Sequence, residues 1–165
     1  MADRVVREKL ATTIVRDDYL PALIALIAND LLWTGTRIYH QRFGIHTNEW
    51  RVLSALGNCP GANAKEVCDV LGMNKSVVSR SAAVLRNADL VVMEKEDGVQ
   101  RLYLTEAGAA VHDEILPIAI GLHQELMAGF TDREQRQLKK YLCRLLANSE
   151  KLQRYESEQT HADDL

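Results

Sequence analysis

The stretch Gly72–Leu90, GMNKSVVSRSAAVLRNADL, decides how this chain folds. Gly72 starts a turn, Asn74 stands where a helix N-cap would, and Lys75 to Asn87 then reads as a helix. At about 100° per residue, Ser76, Ser79, Arg80, Ala83 and Asn87 fall on one side. Val78, Ala82 and Leu85 fall on the other, and that apolar side needs a scaffold to pack on. The polar side offers serine hydroxyls suited to phosphates or base edges, and an arginine whose fork matches guanine. Val77, on the flank, could touch a thymine methyl. Asn74, Lys75 and the first-turn amides form a helix N-terminus, where a phosphate is favourable. Any amphipathic surface helix shows a comparable face, so the neighbouring sequence must separate a groove-reading helix from a solvated one.

Upstream, Asn63 with Glu66 makes a capping box that opens a helix through Leu71. A short helix, a glycine-bearing turn and a second helix therefore follow in order, the helix-turn-helix signature. Thr47 is read as the cap of an earlier helix over 48–56, which carries Trp50, Leu53 and Leu56 and is ended by GNCPG. Downstream, two β-rich runs, Val91–Glu94 and Gln100–Thr105, flank Asp97-Gly98, a strong hairpin-turn signal. Leu102 and Leu104 alternate there with Arg101 and Tyr103. The expected fold is mainly α with a small β-hairpin (α+β), a winged helix-turn-helix lobe over 45–106.

The flanks complete the organisation. Val5, Val6, Leu10, Ile14 and Val15 recur at helical spacing, so residues 3–15 read as a short amphipathic arm. Asp17 and Asp18 open a long helix that takes Pro21 in its first turn, runs to about Arg42 and stops at Gly44. Its apolar set, Leu20, Leu23, Ile24, Ile27 and Leu31, is wider than a lone surface helix needs. Thr105 caps a helix that Pro117 should kink. Thr131 and Glu134 box the start of the last helix, along which Leu138, Leu142, Leu145 and Leu152 form a seam suited to another helix. Residues 1–43 thus supply an arm and a dimerisation helix, 107–156 the C-terminal dimerisation helices, and 157–165 a polar, acidic, disordered tail.

Composition narrows the function. With 165 residues at net charge -3, attraction to nucleic acid has to come from local charge. The longest apolar run, Leu20 to Ala28, is broken by Pro21, so no membrane span is expected, and the first residues lack a signal-peptide core. Cys59, Cys68 and Cys143 have no zinc spacing and fit reduced thiols in a cytoplasmic protein. Cys59, beside Pro60, is the most exposed by sequence. The five histidines are scattered, and His112 and His123 would lie about 16 Å apart on one helix. No metal, cofactor or catalytic residue is expected. Trp33, Arg37 and His40 form a stripe on the first long helix, either dimer core with solvated cations or an aromatic-and-cation lining for an anionic ligand.

The segments TNEWRVLSAL, AKEVCDVLGMNKSVVSRSAAVLRNADLV, a hairpin closing on LTEAG, and FTDREQRQLKKYLCRLL together resemble the MarR family of bacterial transcription regulators. The resemblance implies a homodimer with interlocked N- and C-terminal helices. It also implies binding to pseudo-palindromic double-stranded DNA, and release, as from a repressor, by a small and often aromatic ligand. Carried over by residue, Ser76, Val77, Ser79 and Arg80 fall where the family contacts bases and phosphates, and Arg101 falls on the second strand of the wing. One departure stands out. The wing tip reads Glu96-Asp97-Gly98-Val99, and Glu94, Glu96 and Asp97 outweigh Lys95 and Arg101. That acidity leaves room for a second reading, a winged-helix module for protein–protein contact without DNA affinity.

Overall fold

A computed structural model of the chain describes residues 5–162. It divides into two units, one ending at Leu122 and one starting at His123. In the first unit, α1 (Leu20–Phe43), α2 (Thr47–Asn58), α3 (Ala64–Leu71) and α4 (Lys75–Asn87) are followed by β1 (Val91–Glu96) and β2 (Val99–Leu104). The helix α5 (Glu106–Leu126) runs across the division, and α6 (Asp132–Ala162) lies in the second unit.

Local chemistry sets most of these boundaries. Pro21 sits in the first turn of α1, and Gly44 ends that helix at φ 69°, a left-handed conformation that a side chain would disfavour. Asn63 accepts from the amides of Lys65 and Glu66 while Glu66 accepts from the Asn63 amide, so the expected capping box forms. Asp97 and Gly98 both have positive φ, 48° and 82°, which is type I′ geometry between antiparallel strands paired from Val91↔Leu104 to Glu96↔Val99. Thr105 caps α5 through the Gly108 amide, and Thr131 with Glu134 caps α6.

Four expectations change. Residues 5–15 hold no helix; a short segment rich in β-branched residues and fully exposed has no packing to offset its weak propensity. Residues 3 and 4 of that arm lie outside the described residues. Asp17 and Asp18 belong to a single 3-10 turn, Arg16–Asp18, and α1 begins at Leu20. Thr47 is the first helical residue of α2, and His46 is the N-cap, its amide bonded to Glu49. The stretch from Ser157, expected to be disordered, continues α6 to Ala162, since its Glu and Gln residues propagate a helix already nucleated. Pro117 is carried within α5 without ending it.

The core lies among α2, α3, α4 and the hairpin, with α1 and α5 contributing. Ile45, Val52, Leu53, Leu56, Val67, Val78, Leu85, Leu102 and Ile115 are sealed from solvent. Ile115 comes from α5, so the packing of the lobe extends past residue 106. Two glycines permit close backbone approach. A Cβ on Gly35 of α1 would sit 2.8 Å from the Thr47 hydroxyl, and one on Gly108 would collide with the Leu90 carbonyl. The apolar surface of α1 faces solvent at Leu20, Ile24, Ile27 and Leu31. In α6 no described residue is buried, and Leu142, Leu145, Leu146 and Leu152 are all exposed.

Candidate nucleic-acid interface

The helix α4 presents the division its sequence implies. Val78, Ala82 and Leu85 are buried, whereas Lys75, Ser76, Ser79, Arg80, Ala83 and Asn87 are exposed and Val77 is half-buried. The Asn74 side chain caps the helix, accepting from the Val77 amide at 3.0 Å and the Ser76 hydroxyl at 2.8 Å. Arg80 donates from Nε to the Ser76 carbonyl at 3.2 Å, one turn back on its own helix.

Most of the contacts that hold this face in place link residues far apart in sequence. Ser81, on the inner side of α4, donates to Glu49 Oε1 at 2.7 Å. Glu49, only 8% exposed, also accepts from the His46 amide at 3.0 Å, so one carboxylate ties α4 to the start of α2. Thr47 in turn donates to the Leu32 carbonyl and shares a hydrogen bond with Thr36, fixing α2 on α1. Arg51 of α2 donates to the Leu71 carbonyl at 2.7 Å, satisfying the C-terminus of α3 next to the glycine turn. Trp50 is buried between Tyr39 and His112, at ring-centroid distances of 6.0 and 5.3 Å. Burial raises the pKa of the Tyr39 phenol.

The wing residue Arg101 is not free on the surface. It donates to the Gly61 carbonyl at 2.9 Å and lies 3.5 Å from Glu96 and 3.8 Å from Glu66. Lys95, Glu94, Glu96 and Asp97 are exposed at the tip.

The remaining candidates are spread out. Trp33 is 71% exposed on α1, with Arg37 and His40 also exposed, and the His40 ring meets His46 edge-on at 4.6 Å between centroids. Cys59 and Cys143 are exposed and Cys68 is half-buried. Among the described residues no group of three His, Cys, Asp or Glu side chains could hold a metal, and no helix is long and apolar enough to cross a membrane.

A helix-turn-helix whose second helix has a buried apolar side and an exposed polar one, followed by a hairpin, defines a winged helix-turn-helix protein. The family model for the MarR family matches residues 43–102. A MarR/EmrR family transcriptional regulator from Acinetobacter sp. ADP1 superposes with a TM-score of 0.79 at 27% identity, over 84% of this chain and 99% of its own. A MarR family regulator from Silicibacter pomeroyi does so with 0.72 at 28%, over 86% and 96%. The MepR–DNA complex of S. aureus shares the fold, with a TM-score of 0.73 at 18% identity over 81% and 99%. No curated protein sequence matches the chain significantly. Residues 43–102 thus match the MarR family of transcription regulators, and solved regulators of that family share the fold of the chain.

Proposed function

We propose that this protein is a homodimeric repressor that reads a pseudo-palindromic operator in double-stranded DNA with α4 and leaves it on binding a small ligand. The observation that carries the reading is the exposed Ser76–Ser79–Arg80 face of α4, backed by a sealed apolar side and held by the Glu49–Ser81 bond. Such a helix offers hydroxyls for phosphates and a guanidinium for a guanine edge. Asn74, Lys75 and Val77 complete the contact set at its N-terminal end. The exposed apolar faces of α1 and α6 favour a second copy as their cover. The stripe Trp33, Arg37, His40 offers a ring and fixed positive charge, which favours an aromatic carboxylate as effector. Operation in the cytoplasm follows from this role.

Arg80→Ala tests the assignment. It is expected to cost about 1–3 kcal/mol per half-site and to relax base preference at the guanine it reads, by competition binding against single-base variants. Unchanged preference would move the reading face elsewhere. The acidic tip favours one competing reading, a winged-helix module for protein contact, under which the wild-type chain would retain no duplex at all.

A further inference from the structure

We propose that Arg101, Glu96 and Tyr103 form a latch that positions the wing, and that Arg101 acts on a bound duplex through this placement without touching phosphate. The functional half of the proposal rests on the DNA-binding reading above; the latch itself does not.

The guanidinium of Arg101 already has three acceptors. Its Nη1 donates to the Gly61 carbonyl at 2.9 Å and approaches Glu66, while its Nε faces Glu96 at 3.5 Å. The other oxygen of Glu96 accepts from the Tyr103 hydroxyl at 2.7 Å, a bond that raises the phenol's pKa. Glu96 is the last residue of β1 and pairs with Val99 across the turn, so its carboxylate holds the outer end of the wing. The inner end is held by main chain: the Gly61 amide donates to the Leu102 carbonyl, and the Leu102 amide donates to the Ala62 carbonyl. Gly61, at φ +79°, has no Cβ where one would stand 2.7 Å from the Tyr103 oxygen, so the end of the ring packs closely against the backbone there. Glu66 also accepts from the Asn63 amide at 2.8 Å, so the guanidinium is tied to the start of α3. A phosphate at Arg101 would lie beside two carboxylates, and their repulsion makes it a poor phosphate contact.

The experiment measures binding of the full chain, as a function of salt, to a duplex selected by the wild-type protein. Lys75→Ala is the control for a lost phosphate contact and should flatten the log–log salt slope by about 0.9 per subunit. Arg101→Ala is expected to weaken binding about 3- to 10-fold with the wild-type slope, and Glu96→Gln to weaken it also. The double variant should be little worse than Arg101→Ala, because both changes open one latch. A slope flattened as in Lys75→Ala, or tighter binding by Glu96→Gln, would overturn the proposal. Hydrogen exchange reads the latch without DNA: amides 99–104 should exchange faster in Arg101→Ala, and those near the turn faster in Tyr103→Phe. Unchanged exchange in both variants would also overturn it. If the wild-type chain binds no duplex, the DNA reading fails, and exchange alone decides the latch.

Discussion

At the scale of single residues, the buried and exposed sides of α4 were legible and the contacts that support them were not. Helical periodicity is local, so the sorting of Val78, Ala82 and Leu85 from Ser76, Ser79 and Arg80 could be read from a window of thirteen residues. The bonds that hold α4 and the wing in place join positions 32, 20 and 40 apart: Ser81 to Glu49, Arg51 to Leu71, and Arg101 to Gly61. No periodicity connects such pairs; only the fold brings them together. Arg101 shows the consequence, since its contacts with Gly61 and Glu66 join the wing strand to residues that no local pattern connects to it. Ser81→Ala removes a hydrogen bond from a buried carboxylate and should destabilise the protein by about 1–3 kcal/mol. Urea unfolding measures this, with the exposed Arg80→Ala variant as the near-neutral comparison, and a midpoint like wild type would show that Glu49 finds another donor. Arg37→Ala should abolish the release of DNA by aromatic carboxylates while leaving ligand-free binding near wild type. An intact response in that variant would exclude the Trp33–Arg37–His40 stripe as the effector site.

At the scale of elements, what could be read was what short-range chemistry dictates. The Asn63–Glu66 box, the Asp97-Gly98 turn, the Gly44 stop and the Thr131–Glu134 cap all fall within four residues of the structure they specify. The misread ends depend on context. The arm has helical spacing but nothing to pack on, and the end of α6 is polar yet extends a long helix. The α6 cap has a pH signature. Hydrogen bonds from the Thr131 hydroxyl and amide lower the pKa of Glu134. A carboxyl whose folded pKa is depressed contributes stability above its ordinary pKa and loses it as pH falls through the folded value. Amide exchange in the first turn of α6 should therefore accelerate, beyond its intrinsic pH trend, only below about pH 4. Acceleration already complete near neutral pH would mean that Glu134 does not hold the cap.

At the scale of the whole molecule, the account turns on symmetry. On the reading proposed above, one chain offers one recognition helix, and the exposed leucine and isoleucine faces of its α1 and α6 would be covered by a second copy. A two-fold dimer would set two α4 helices in successive major grooves, about 34 Å apart, and so would demand an inverted repeat. An acidic wing tip limits the charge each subunit brings, so about 3 phosphate contacts per subunit and a log–log salt slope near -5 are expected. A ligand that binds better to a dimer whose helices are wrongly spaced would lower DNA affinity, and DNA would reciprocally weaken the ligand. The most direct measurement is selection of bound sequences by the wild-type protein from a random duplex pool. The account predicts enrichment of an inverted repeat whose half-site centres lie about 10 base pairs apart. A pool that stays random, or one that enriches a single unrepeated site, would contradict it.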